Sequence, residues 1–364
     1  MPRICVHAGF HKTATTSFQA FCTQNRALLR RQGLHYARLD YQQVLDRPNH
    51  SFVLRSAYDA AAAGDNRLRQ SLVRELGRQL QGCDSMLISG EVISVLGDPA
   101  KALLLQDLRL LADELRFILL VRHPNSYFQS ALQELLRVWA GVNIFSLPEN
   151  MLAGLVDHEW GSLYTRRLAF FRAHLADHEL IVRKYEDACT APDGVIGYLL
   201  RDCLGLQHLP GLHASPRRAN AALAHESLLI ICALKSLRTE ANDTVTNRMI
   251  GMISQSALRG GCRQAFAATL AHCLPPITTQ LAWLETNFGL HYDPEAFAFE
   301  PPDPAKLWSA EFIDSLLGCA VRQADPPERQ QLAAALEFLG ARQETRPAHA
   351  AALQHTAKRL QSAY

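Results

Sequence analysis

The sequence predicts an α/β fold, with a central parallel β-sheet flanked by helices and a mainly helical C-terminal part. Three observations carry that expectation. Short apolar runs at Ile4–Val6, Met86–Ile88 and Phe117–Val121 read as strands, and the continuous apolar character of Phe117–Val121 and of the strand His178–Tyr185 suits strands covered on both faces, as in parallel sheets. Segments of helical period separate these runs and have the length that a crossover between parallel strands requires. Beyond about Gly194 the helical pattern alone continues.

The elements follow in chain order. The first run, Ile4, Cys5, Val6 and then Ala8, stops at Gly9, and a helix is expected from Phe18 to Leu29. Residues 34–60, with Pro48, Asn49 and His50, read as loop-rich. Leu68, Leu72, Val73, Leu76 and Leu80 repeat at helical spacing over 66–80. The strand Ser85–Ser89 ends at Gly90-Glu91, and a helix over Lys101–Leu111 leads to the strand Arg116–Val121, which runs into Arg122-His123-Pro124. Helices are expected at 126–139 and 160–174, a strand from His178 to Tyr185 before Glu186 and Asp187, and helices at 194–206, 222–238 and 262–285. Glu300-Pro301-Pro302-Asp303-Pro304 is the clearest linker, dividing a domain at 1–300 from a helical extension at 301–364 whose tail, from about 343, is expected to be mobile.

Composition narrows the class. Of 364 residues, 48% are hydrophobic and 8% aromatic, as in an ordinary globular chain able to bury a large core. Lys and Arg total 37 against 35 Asp and Glu, a balance that speaks against nucleic-acid or polybasic membrane binding. The 9 cysteines are scattered and mostly in apolar contexts, which fits reduced core residues better than a disulfide frame. The 15 histidines form no HExxH or paired CxxC spacing, so no metal is expected. The apolar run begins at once and no stretch reaches the ~18 residues of a membrane span, so neither a signal peptide nor an anchor is expected and a cytoplasmic enzyme is the default.

Chemistry concentrates after the first strand. Lys12, Thr13, Thr15, Thr16 and Ser17 crowd the junction between strand and helix. A helix N-terminus presents unpaired N–H groups and the positive end of its dipole; hydroxyls add neutral donors and a lysine adds a mobile charge. Helix capping alone also favours Ser and Thr, but one capping residue is enough. The segment therefore reads as a phosphate-binding loop. Gly9 lies three residues before Lys12, so the GxxxxGK[ST] spacing of nucleoside triphosphatases is absent.

Lys12, Glu91, Arg122 and Tyr185 each follow a different predicted strand. Open parallel sheets bind ligands beyond the carboxyl ends of their strands, so the fold is expected to bring these residues to one rim. Arg122 offers a planar fork suited to a phosphate, and Ser130 lies on the helix that follows.

These motifs resemble the sulfotransferase family, enzymes that use 3′-phosphoadenosine 5′-phosphosulfate (PAPS). The resemblance rests on Gly9-Phe10-His11-Lys12-Thr13-Ala14-Thr15-Thr16-Ser17-Phe18-Gln19 and on Val121-Arg122-His123-Pro124 with Ser130. With Tyr185-Glu186-Asp187 it is nearest to bacterial, carbohydrate-type members, and it covers about residues 1–220. Ala14 replaces the glycine usual in the family loop. The resemblance implies a P-loop-like three-layer fold. It also implies that Lys12, Thr13, Ala14, Thr15, Thr16 and Ser17 hold the 5′-phosphosulfate, that Arg122 and Ser130 hold the 3′-phosphate, and that Tyr185 lies near the adenine. Arg217 and Arg218 fall where some relatives place a further basic contact.

Sulfuryl transfer needs stabilisation of the leaving oxygen, a task for Lys12 and the loop N–H groups, and a base for the acceptor hydroxyl. Glu91 is the candidate base, with His11 and His7 as alternatives and a helix-cap role competing with it. The expected acceptor is a hydroxyl of a carbohydrate or glycolipid, with 34–60, 137–160 and 240–262 as the segments available to recognise it. A nucleotide-dependent kinase on the same sheet and a non-catalytic nucleotide-binding protein are the alternatives. The oligomeric state stays open, a homodimer included.

Overall fold

The structure, a computed structural model, describes residues 2–10, 12–39, 48–138, 144–145, 163–206, 223–256, 258, 277–296, 303, 306–342 and 345–362. Its elements run β1 (Arg3–His7), α1 (Thr15–Gln24), α2 (Arg26–Arg31), β2 (Leu34–Tyr36), α3 (Ser51–Ala62), α4 (Arg67–Leu80), β3 (Ser85–Ser89), a 3₁₀ turn (Glu91–Val95) and α5 (Asp98–Leu111). There follow β4 (Glu114–Val121), α6 (Pro124–Val138), α7 (Leu163–His174), β5 (Leu180–Lys184), α8 (Tyr185–Thr190) and α9 (Gly194–Tyr198), which passes into a π-helical turn, Leu199–Cys203. The remaining helices are α10 (His225–Ser236), α11 (Asp243–Gln255), α12 (Thr278–Phe288), α13 (Ala310–Gln323), α14 (Pro326–Gly340) and α15 (Pro347–Ser362). Among the described residues no helix is long and apolar enough to cross a membrane.

The chain forms two compact units that no single cut in the sequence separates. The first comprises Met1–Pro124, Ser162–Ala219 and Ile277–Ala296; the second comprises Asn125–Gly161, Asn220–Pro276 and Phe297–Tyr364. The expected 300/301 boundary falls outside the described residues, within the stretch belonging to the second unit.

The first unit is an α/β body whose sheet has the order β2-β3-β1-β4-β5, every pair parallel. Cys5 and Leu87 register together and, with Ile118 and Leu120, face Phe18, Phe21 and Cys22 of α1 and Leu199 and Leu200 beyond α9. Phe117, of opposite parity, meets Phe171 of α7 with centroids 5.4 Å apart, so helices cover both faces. Phe18 is fully buried and Phe171 nearly so, each contributing about 1.5–3 kcal/mol through the apolar surface removed from water. The chain leaving β1 turns to the α1 face, whereas α5, leaving β3, lies with α7 on the other, where Lys101 approaches Phe170 and Phe171. β1 is thus a topological switch point, the place where open sheets bind ligands.

Three expectations are corrected here. The strand at 178–185, expected to be covered on both faces, is β5, a partly exposed edge strand. The helix placed at 18–29 is two helices, because Asn25 at their junction donates from Nδ2 to the Phe21 carbonyl (2.9 Å) and closes α1. Residues 34–60 contain β2 and α3 as well as loop. Three residues are too few to show a period, yet Leu34 and Tyr36 are buried against β3. In α3 the residues Val53, Leu54, Ala57, Tyr58 and Ala61 form a buried helical stripe that Pro48 and Asn49 disguise. In the 262–285 stretch the structure describes α12 from Thr278; residues 262–276 lie outside the described set.

The second unit is helical. α14 packs against α15, α10 and α11, burying Leu332, Leu336 and Leu339. Where the sequence suggests a tail, α15 buries Leu353, Ala357 and Leu360.

Candidate functional site

Because every strand points the same way, the segments leaving β1, β3, β4 and β5 emerge at one edge of the sheet. That places the loop holding Lys12, the turn opened by Glu91, Arg122 and Tyr185 along a single rim.

The loop after β1 is under strain. Lys12 has φ 67° and Ala14 has φ 61° with ψ 20°, two left-handed residues in three positions. A side chain in this region costs about 1–2 kcal/mol at each position, and the surroundings must hold it there. Thr13, fully buried, donates from Oγ1 to the Phe10 carbonyl at 2.7 Å and closes the loop. Gly9 lets the chain pass close: a Cβ there would lie 2.6 Å from Thr15 Cγ2 and 3.0 Å from His7 Nε2. α1 then starts at Ala14, which provides no side-chain cap, and its first turn contains no acidic residue. The first-turn N–H groups have no acceptors within the helix, and the dipole adds positive potential. Thr16 is exposed and Ser17 half-buried on that turn.

Arg122 is tied to this loop. Its Nη1 donates to the Lys12 carbonyl at 3.2 Å, and its guanidinium stands 5.2 Å from the Tyr185 ring centroid. Tyr164 of α7 donates its hydroxyl to the Arg122 carbonyl. The His123 N–H donates to Glu186 Oε1 (2.9 Å), and Tyr292 donates to the Val121 carbonyl (2.9 Å), so distant segments of the same unit fix the end of β4. Burial pushes the Tyr185 phenol up to about 12, against the pull of Arg122, so it stays protonated at neutral pH.

Glu91 opens the turn after β3 and is half-buried; Thr15 Oγ1 donates to its Oε2 at 2.8 Å. The Thr15 hydroxyl therefore orients a carboxylate, joining the β1 loop to the β3 turn. His7 lies beneath, fully buried: Nδ1 is 2.8 Å from Ser89 Oγ, and Gln19 Nε2 donates to that Oγ at 3.2 Å. Burial lowers the His7 pKa to about 4, outweighing the opposite pull of Glu91, and keeps the imidazole neutral.

Of the residues expected at the site, the first unit brings together Lys12, Thr13, Ala14, Thr15, Thr16, Ser17, Glu91, Arg122 and Tyr185. Ser130 is half-buried on α6 and belongs to the second unit. His11, Arg217 and Arg218 lie outside the described residues. Sequence reasoning missed Phe10, Tyr164, Tyr292 and Arg167, all of which support the rim. Phe10 meets Tyr164 edge-on at 5.2 Å and lies 5.8 Å from the Arg167 guanidinium. Phe10 and Tyr292 lie outside helices and Tyr164 and Arg167 on α7; joined by long-range contacts, they leave no local signal, whereas strand-end position was the signal for the others. Among the described residues, no group of three or more His, Cys, Asp or Glu side chains is placed to hold a metal. Comparison with family models, with characterised proteins and with solved structures returns no match.

Proposed function

We propose that this chain is a PAPS-dependent sulfotransferase with a P-loop-like fold, acting on a hydroxyl of a carbohydrate or glycolipid. The observation that carries the reading is the hydrogen bond from Arg122 Nη1 to the Lys12 carbonyl, 3.2 Å long. It couples the cation after β4 to the strained loop at the start of α1. A single phosphate would need only the loop, whereas a nucleotide phosphorylated at two positions suits two linked seats. The switch point at β1 supports the same reading.

The donor set fits PAPS. Lys12, Thr16, Ser17 and the first-turn N–H groups of α1 would hold its 5′-phosphosulfate, Arg122 its 3′-phosphate, and Tyr185 would lie near the adenine. When bound, PAPS supplies an electrophilic sulfuryl group. Lys12 and the α1 N-terminus place positive charge where a leaving oxygen gains negative charge. Glu91, oriented by Thr15, takes the proton of the acceptor hydroxyl. His7, neutral and buried, supports the loop from below.

The test is transfer of label from radioactive PAPS to a panel of sugar acceptors, run with and without Mg²⁺. The proposal expects metal-independent transfer that fails in Glu91→Gln. Transfer of labelled phosphate from ATP with Mg²⁺, and none from PAPS, would replace it with a kinase.

A further inference from the structure

Two arginines of the first unit, one half-buried and one buried, differ in how their charge is met. Arg69 of α4 grips Asp107 of α5 through Nε–Oδ2 (2.8 Å) and Nη2–Oδ1 (2.7 Å), and Tyr58 donates to the same carboxylate at 3.0 Å. That charge is matched within the fold. Arg167 of α7 is more deeply buried, at 8% exposure, and its Nη1 has no hydrogen-bond partner. Among the described residues no carboxylate pairs with it, and its one aromatic neighbour through the cation face is Phe10, at 5.8 Å. The nearby buried cation, Lys101, adds charge of the same sign: burial lowers its pKa and Arg167 lowers it further, against the pull of Asp98. An uncompensated guanidinium is costly to bury, and folds keep such groups where a ligand completes them.

Position indicates which ligand. α1 and Tyr185, with the groups assigned to the nucleotide, pack on the sheet face that carries Cys5 and Ile118. Arg167 is one turn along α7 from Tyr164, and α7 lies on the opposite face, where it packs against the 3₁₀ turn opened by Glu91. Arg167 therefore stands on the face where α7 packs against the turn that carries the proposed base. A planar guanidinium matches a carboxylate with two parallel hydrogen bonds.

We infer that Arg167 recognises a carboxylate on the acceptor, making an acidic sugar of the uronic acid type the preferred substrate class. The inference rests on the proposed transfer to a sugar hydroxyl, but its test separates the two. Thermal unfolding of the full chain is followed with glucuronate or glucose at equal concentration, for wild type, Arg167→Met and Arg167→Lys. Binding of adenosine 3′,5′-bisphosphate is titrated in parallel.

Glucuronate is expected to raise the wild-type Tm by at least about 2 °C more than glucose does. That excess should vanish in Arg167→Met and at least halve in Arg167→Lys, which keeps the charge without the fork. Arg167→Met alone should unfold at a higher temperature than wild type, because an unpaired buried charge has gone. Nucleotide affinity should stay within about threefold of wild type, since Arg167 touches the β1 loop only through the Phe10 ring and contacts none of the groups assigned to the nucleotide. Equal shifts from both sugars, or an excess that survives in Arg167→Met, would overturn the inference. So would a tenfold loss of nucleotide affinity in that variant, which would move Arg167 to the donor. A glucuronate excess in a protein that binds no bisphosphate would sink the sulfotransferase reading and leave the carboxylate site standing. If Arg167→Met fails to fold, Arg167→Lys decides alone.

Discussion

The N-termini of α1 and α14 solve the same problem in opposite ways. At α14 Asp325 accepts from the Glu328 N–H (3.1 Å), Glu328 accepts from the Asp325 N–H (2.9 Å), and Pro326 fills the first helical position. Two orphan donors are satisfied reciprocally by the sequence itself. At α1 hydroxyls crowd the start, yet Thr13 bonds backward to Phe10 and Thr15 reaches across to Glu91. Ala14, with no polar side chain, occupies the N-cap in a left-handed conformation. At α14 the sequence caps the helix, whereas at α1, as at α3, α5 and α10, no side chain does, and the α1 hydroxyls shape a loop and orient a carboxylate. On the proposed function, the α1 end is the one that an anion from outside would complete.

The largest expected effect tests what the Thr15 hydroxyl holds. Glu91→Gln should lower turnover at least about a hundredfold while leaving nucleotide affinity nearly unchanged, as for a lost general base. Steady-state rates beside a bisphosphate titration check it, and wild-type activity would move the base to a histidine. Next comes the lysine. Lys12→Ala should weaken bisphosphate binding about 10- to 100-fold, the range of one charge-assisted contact, with little change in Tm.

The same operation at the other helix should invert the pattern. Asp325→Ala should cost about 1 kcal/mol of stability in denaturant titration and leave nucleotide binding untouched. A nucleotide effect there would erase the contrast between the two ends.

A pH series probes the floor of the site. Burial lowers the folded pKa of His7 from 6.5 to about 4, so the unfolded chain binds the proton more readily. The stabilising contribution is therefore full above pH 6.5 and is lost as pH falls toward 4. His225, lowered to about 4 by burial, acts in the same direction from the second unit. His7→Gln should flatten the acid limb of a Tm-against-pH curve by up to one proton's slope, about 1.4 kcal/mol per pH unit; an unchanged limb would contradict the assignment. The smallest effect is Ala14→Gly. It relieves a left-handed alanine but frees the unfolded chain, for a net gain of about 0.5 kcal/mol, with nucleotide affinity kept.

The sheet was legible where strands are long or apolar throughout, and opaque where they are neither. Ile4–Val6 and Phe117–Val121 announce buried parallel strands, and the residue types following them predict the rim. β2 is three residues with a histidine at its centre, so no period survives. Asn25 divides α1 from α2 through a side-chain bond that spacing cannot express. At the site, Lys12, Glu91 and Arg122 were readable because strand ends in a parallel sheet converge. Ala14 was marked only by the sulfotransferase resemblance, and its positive φ shows why glycine is favoured at such a position. Arg167 and Tyr164 were invisible, since both sit in an ordinary amphipathic helix and gain meaning only from Phe10, far away in sequence.

Calorimetric titration with adenosine 3′,5′-bisphosphate, set against ATP with Mg²⁺, tests the central claim most directly. Wild type should bind the bisphosphate in the micromolar range without metal, and Lys12→Ala and Arg122→Ala should each weaken it at least about tenfold. ATP with Mg²⁺ should bind far more weakly. Tighter binding of ATP with Mg²⁺, or no binding of the bisphosphate, would contradict the two-seat account of this rim.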